Sequence, residues 1–167
     1  MPRKSIKQDK NTYQILREAK GYSRAQASEL LKCISDSRLV RIESGETAPY
    51  PEEIITMAEV YKEPNLPNIY CANDCPLGKA YVVQVEVKDL PTITLEVLNL
   101  LSRLSKQKER LVEITMDGEI TPDELHDFME IKRELEKMSM TIDSMQLWLD
   151  NKIADGTIEV GPMDGDD

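Results

Sequence analysis

ISDSRLVRIESGETAPYPEE, residues 34–53, is the stretch from which the fold of this chain can be read. Ser35 has the short acceptor side chain that caps a helix N-terminus, and Asp36 to about Ser44 continues with Leu39 and Ile42 three residues apart, so both fall on one inner face. Gly45 stops that helix. Pro51 opens another, because its fixed φ suits a first helical turn and its missing N–H costs nothing there. Glu52 and Glu53 place negative charge at the positive end of the new helix, whose inward residues are Ile54, Ile55, Met57, Ala58 and Tyr61.

Working upstream, Ser23 caps a helix from Arg24 to about Leu31 that buries Ala27, Leu30 and Leu31. Before it, Asn11 or Thr12 opens a helix carrying Tyr13, Ile15, Leu16 and Ala19, which ends at Lys20-Gly21. Residues 11–63 therefore read as four short helices, and residues 1–10 as a flexible basic arm containing Arg3, Lys4 and Lys7. Downstream, Pro64, Pro67 and Pro76 predict an irregular connector over 64–92, with YVVQVEV (81–87) extended and at most a short strand.

From Thr92 the pattern changes to heptads. Ile93, Val97, Leu100, Leu104, Gln107, Leu111 and Ile114 alternate steps of four and three. Phe128, Ile131, Leu135, Met138, Ile142, Met145 and Leu149 repeat this beyond a turn. Residues 93–150 thus form an antiparallel helical hairpin with coiled-coil character. Leu95, Leu98, Leu101 and Leu125 widen its apolar face beyond one partner helix, which predicts a homodimer through this hairpin; the alternative is that the face packs on the chain's own head. Residues 151–167 read as a disordered acidic tail. The expected fold class is all-α.

Composition sets the outer bounds. The chain has 167 residues, a net charge of −10, one Trp and one Phe. That charge is unevenly distributed: residues 1–50 hold ten basic and six acidic side chains, a balance of +4, which leaves −14 for residues 51–167. Electrostatics are screened over about 8 Å in physiological salt, so a basic head can meet phosphates although the distant remainder is acidic. No run approaches the roughly twenty apolar residues of a membrane span, and no apolar signal segment follows the basic N-terminus. Three cysteines fit free thiols better than a disulfide framework. The expected location is cytoplasmic, with no membrane partner.

The helices carry a resemblance. ILREAKGYSRAQASELL followed by ISDSRLVRIESGETAPYPEEIITMAEVY resembles the helix-turn-helix regulators of the Cro and lambda-repressor type, also called the xenobiotic-response-element family. The matching places are Arg17-Glu18-Ala19-Lys20-Gly21, Ser23-Arg24 and Leu39-Val40-Arg41-Ile42-Glu43-Ser44-Gly45. Two departures stand out. The turn between the second and third helices is Lys32-Cys33-Ile34 where the family has Gly, and is about one residue longer than usual. Arg24 stands where the family favours Gln.

The resemblance implies a lambda-repressor-like head that binds double-stranded DNA as a bacterial or phage-type transcriptional regulator, with helix 36–44 in the major groove. Carried over, the base-contact residues are Asp36, Ser37 and Arg41, with Arg38 near the edge of the same face. Arg41 suits a guanine and Asp36 a cytosine amino group; Asp36 could instead help to cap its helix. Lys20, Arg24 and Lys32 are the phosphate candidates. Glu43 reads as structural, paired with a buried cation such as Arg17. A protein-interaction adaptor or antitoxin that keeps the helices as a scaffold is the competing function.

Weaker signals add little. Cys71 and Cys75 lie four apart and Cys33 could join them on a metal, but the spacing departs from Cys-x-x-Cys and ordinary thiols are the favoured reading. In EITMDGEITPDELHDF (113–128), Gly118, Ile120 and Glu124 have calcium-loop spacing, yet Thr121-Pro122-Asp123-Glu124 is explained as a helix start. No phosphate loop or catalytic constellation is present, so no enzyme activity and no cofactor is expected.

Overall fold

The computed structural model describes residues 10–159, and every regular element among them is an α-helix. The helices are α1 (Thr12–Ala19), α2 (Arg24–Leu31), α3 (Asp36–Glu43), α4 (Pro51–Tyr61), α5 (Leu66–Asn73), α6 (Gly78–Tyr81), α7 (Leu90–Thr115) and α8 (Leu125–Ala154). They fall into two compact units. One holds residues 10–84 together with 150–159, and the other runs from Val85 to Leu149. The arm residues Arg3, Lys4 and Lys7 and the last part of the expected tail lie outside the described residues.

In the first unit the short helices start where their caps dictate. The side chains of Asn11, Ser23 and Ser35 each accept the backbone N–H three residues on, from Gln14, Gln26 and Arg38. Each such cap contributes about 1 kcal/mol. Asn11 also donates to the Ile42 carbonyl at 2.7 Å, tying the start of α1 to the end of α3. Ala27, Leu31, Ile34, Leu39, Ile42, Ile54, Met57, Tyr61 and Leu66 form a core in which each is at most 1 % exposed. Burial of each large apolar side chain contributes roughly 1.5–3 kcal/mol, enough to hold helices too short to persist alone. Ile15, Leu30 and Ile55, expected inward, are 46–56 % exposed, and Gln14 and Arg17 take the buried places on α1.

Residues 64–92, expected to be irregular, carry α5 and α6. Pro67 does not break a helix here because it occupies the first turn of α5, where no N–H is needed. Leu66 and Tyr70 join the core, and Cys71 and Cys75 pack against it. The buried Tyr13 hydroxyl donates to Asp74, fastening α1 to the end of α5; burial and the adjacent carboxylate both push that phenol well above its ordinary pKa. Residues 82–89 form neither helix nor strand, and Asn68 holds the Val83 carbonyl at 3.2 Å.

The second unit is the expected antiparallel hairpin. Arg110 pairs with Asp127 at 2.7 Å and Arg103 with Glu134 at 3.5 Å, so seven residues back along α7 match seven residues forward along α8. The α7 seam is as read from the heptads: Ile93, Leu100 and Ile114 are buried, with Val97, Leu104, Gln107 and Leu111 half-buried between them. On α8 the expected seam is turned. Ile131 is buried and Phe128 and Met138 half-buried, but Leu135, Ile142, Met145 and Leu149 are 37–53 % exposed. Glu134 and Thr141 take the inward positions beside Met138. Arg103 and Arg110 pair with Glu134 and Asp127 along one edge of that seam. Thr141 can be buried because its hydroxyl bonds the Lys137 carbonyl at 2.9 Å.

The 113–128 turn follows its capping chemistry: Glu124 accepts from both the N–H and the hydroxyl of Thr121, at 3.0 and 2.7 Å. The segment expected to begin a disordered tail at residue 151 instead continues α8 to Ala154.

Candidate nucleic-acid interface

The surface of interest is the outer face of α3, and it is fixed from below. Leu39 and Ile42 are each 1 % exposed. Helical geometry then turns Asp36, Ser37, Val40 and Arg41 outward, and all four are exposed. Beneath them lies a buried ion network. Glu43 has a side chain 1 % exposed and accepts from Arg17 Nε at 2.6 Å, Arg17 Nη2 at 2.9 Å and Arg24 Nε at 2.8 Å. Arg17 also donates to the Tyr22 carbonyl, so one guanidinium joins α1, the α1–α2 turn and α3. The pairing of Glu43 with Arg17, expected from the sequence, is present.

The α2–α3 turn substitutes for the missing glycine in an unusual way. Lys32 has φ +57°, a left-handed conformation that a side chain disfavours. The chain is held there by Ile34, which is fully buried, and by the Ser28 hydroxyl donating to the Ile34 carbonyl at 2.8 Å. Beyond α3, Gly45 at φ +75° supplies the positive φ of the helix stop.

Each expected site residue has a definite place. Asp36 is the first residue of α3; the cap itself is Ser35, which leaves the Asp36 carboxylate exposed at the helix start. Ser37 and Ser35 share a hydroxyl contact at 3.1 Å. Arg41 pairs with Glu46 at 3.0 Å, both more than half exposed, an ion pair worth under about 1 kcal/mol and readily exchanged for another acceptor. Lys20 and Arg24 stand at the two ends of the α1–α2 turn, and Lys32 and Asp36 at the two ends of the α2–α3 turn. Lys20 and Lys32 are exposed, whereas Arg24 leans on Glu43 with 40 % of its side chain exposed.

Arg38, expected near the edge of the base-contact face, has its donors engaged within the domain. Its Nε and Nη2 hold both oxygens of Glu53 at 2.9 and 2.8 Å, Nη1 donates to Thr47 and Nη2 to the Ala48 carbonyl. The guanidinium also lies 4.7 Å from the centre of the Tyr50 ring. The cause is position: Arg38 sits on the flank of α3 that faces the first turn of α4, where it clamps the intervening loop. Burial pushes the Glu53 carboxyl up, but hydrogen bonds from Arg38 and from the Tyr50 N–H outweigh it and hold Glu53 below its ordinary pKa.

A depressed folded pKa means that this clamp contributes fully above the ordinary glutamate range, near pH 4.3, and is lost as the pH falls through the lower folded value. The stability difference between the natural chain and Glu53→Gln should therefore be largest at neutral pH and shrink on acidification. A difference that stays constant through that range in chemical unfolding would refute the ionised clamp.

One residue passed over in the sequence is Val40. Its β-branched apolar side chain, 40 % exposed between Ser37 and Arg41, suits the C5-methyl group of a thymine. Its signal is an apolar residue on an otherwise polar face. The cysteines do not converge: Cys33 is exposed near Thr56 while Cys71 and Cys75 pack against the core. Among the described residues no group of three or more His, Cys, Asp or Glu is placed to hold a metal, and no helix is long and apolar enough to cross a membrane.

Comparison with curated proteins and with solved structures gives no match. Residues 14–64, under a third of the chain, match the helix-turn-helix family, and this span runs from the start of α1 to just past the end of α4. Caps, ion network and family match agree: the N-terminal part of the chain is a helix-turn-helix domain of the Cro and lambda-repressor type, the kind of domain by which transcription regulators bind DNA.

Proposed function

We propose that the chain is a sequence-specific transcriptional regulator of bacterial or phage type, acting in the cytoplasm as a homodimer and reading the DNA major groove with α3. The observation that carries this reading is the outer face of α3. Asp36, Ser37, Val40 and Arg41 supply an acceptor, a hydroxyl, a methyl-sized apolar contact and a guanidinium, and none of them is needed for the core beneath. These are the chemistries that distinguish base edges in the major groove. Arg38 is left out of the base-reading set because its donors are engaged by Glu53, Thr47 and Ala48. Lys20, Arg24 and Lys32 provide the phosphate contacts that fix register without reading sequence.

The roles predict different losses. Arg41→Ala should weaken the preferred site by about 1–3 kcal/mol and relax preference at one base pair, while Lys20→Ala should weaken all duplexes alike and make the salt slope shallower by about one. The measurement is binding to the DNA upstream of the protein's own gene and to random duplex across a salt series. Equal effects of both substitutions on both duplexes would overturn the assignment. Absence of any complex at low salt would favour the adaptor reading. In the same assay, Asp36→Ala should change base preference, while stability falls by less than about 1 kcal/mol, the helix-dipole contribution alone, since Ser35 and not Asp36 caps the helix.

A further inference from the structure

A groove in the first unit, away from the outer face of α3, has a volume of about 610 Å³. It opens between the start of α1, the end of α3 with the loop that follows, and the end of α5. Ile15, 51 % exposed, lines it together with Ile42, Pro49 and Ile69, so much of its wall is apolar. Asp74 stands at the same groove. Glu18, Glu43 and Glu53 in this unit are each paired with a Lys or Arg, whereas among the described residues no cation pairs with Asp74. Its one hydrogen bond there comes from the Tyr13 hydroxyl and engages a single oxygen, Oδ2. Tyr13 is 6 % exposed, so the group that orients this carboxylate is itself fixed in the core. The neighbouring polar groups are already occupied. Asn11 donates to the Ile42 carbonyl and accepts from the Gln14 N–H, the Asn73 amide donates to the Ile69 carbonyl and to Gln84, and Lys10 is held by Glu18 at 2.7 Å. Asp74 Oδ1 is left as an ionic acceptor with no donor, at the edge of an apolar wall with no cover.

We infer that this groove binds a small organic cation, a primary amine on an apolar body, with the ammonium on Asp74 and the body against Ile15 and Pro49. Size, charge and shape each select this class. The volume lies within the roughly 300–1,000 Å³ of small-molecule sites, which are mostly apolar with a few placed polar groups. Lys10 is neutralised by Glu18, so Asp74 sets the sign of the groove, which disfavours carboxylates and phosphates. An ammonium donates charge-assisted bonds to a carboxylate that Tyr13 already holds in place, and the apolar body removes Ile15 from water. The site goes beyond the DNA-reading role and does not depend on it. It does reach that role structurally, because Ile42 of α3 and the Thr47–Ala48 segment clamped by Arg38 belong to the same wall.

Phenethylamine, 2-phenylethanol and 3-phenylpropanoate share a ring and chain and differ only in the head group. Each is titrated into the full chain and followed by amide NMR. Phenethylamine should bind with a millimolar or lower Kd and move the amides of Tyr13, Ile15, Thr47, Ala48 and Asp74. The alcohol should bind about ten-fold more weakly, and the carboxylate not measurably at about 10 mM. Asp74→Asn keeps an acceptor for the Tyr13 hydroxyl; it should bring the amine down to the level of the alcohol and leave the alcohol unchanged. Ile15→Asn, at a side chain outside the core, should weaken amine and alcohol alike by about three- to five-fold. Far-UV circular dichroism follows folding. If Asp74→Asn loses helix, the ranking of the three head groups on the natural chain and the location of the shifts decide alone. No shift with phenethylamine at about 10 mM would overturn the inference. Equal affinity for amine and alcohol, shifts scattered over the acidic surface instead of the groove, or a folded Asp74→Asn chain that still prefers the amine would do the same.

Discussion

Replacing Glu43 by Ala should destabilise the helix-turn-helix domain by about 3–5 kcal/mol, the largest effect expected of any single substitution in it. The magnitude follows from what is left behind. Arg17, with a side chain only 6 % exposed, donates twice to Glu43, and the guanidinium cannot escape by losing its proton. Removing the carboxylate leaves the buried Arg17 with Glu18 at 3.7 Å and the Tyr22 carbonyl as its partners, and neither replaces the two short bonds to Glu43. A double replacement, Arg17→Met with Glu43→Leu, should recover most of the loss, because the penalty comes from the unpaired ion and apolar groups of similar size can fill the site.

Hydrogen exchange at the amides of Leu31, Leu39 and Ile42 reads the domain without interference from the hairpin. On the order of a hundred-and-sixty- to five-thousand-fold faster exchange is expected in Glu43→Ala, and near-normal protection in the double variant. A loss below about 1 kcal/mol in the single variant would show that the network is not a support of the domain.

Gly78→Ala should be the second most damaging change, at about 2–3 kcal/mol. A Cβ at this position would stand 2.1 Å from the Cys71 carbonyl oxygen and 2.7 Å from its carbon, and both are backbone atoms of α5 that no side-chain rotation can move. The start of α6 must therefore separate from α5, losing the contact between the Gly78 N–H and the Cys75 sulfur. Gly45→Ala is the comparison that isolates this cause. There the added methyl group meets nothing within 4 Å and the cost is the positive φ alone, about 1 kcal/mol. Thermal unfolding and proteolysis between residues 74 and 82 distinguish them: only Gly78→Ala should open that segment to protease. Similar melting shifts, with residues 74–82 equally protected, would exclude the close approach as the reason for glycine.

Much of the domain was legible because its signals are local. Asn11, Ser23 and Ser35 act on N–H groups three residues away, Pro51 and Gly45 act through their own φ, and Leu39 with Ile42 needs only the pitch of a helix to define an inner face. The pairing of Glu43 with Arg17 was also readable, since a carboxylate on a face next to Ile42 has to find a cation. Proline was the misleading signal. Pro67 reads as a break, but the same residue is at home in a first helical turn, and only its neighbours Leu66 and Tyr70 entering the core decide between the two.

Read alone, the sequence determined the helices of the first sixty residues, the face that α3 turns outward, and the division into a head and a hairpin, because each depends on capping, on φ or on a period of about 3.6 residues. Tertiary structure decided where long side chains spend their donors and which way a seam turns. Arg38 had the spacing of a base reader until the first turn of α4 brought Glu53 to it. Leu135, Ile142 and Leu149 have the spacing of an internal seam, yet they are exposed, and Ile131, Glu134, Met138 and Thr141 take the inward places. Such outcomes rest on distances between residues remote in sequence, and heptad spacing identifies an apolar line without saying which helix will cover it.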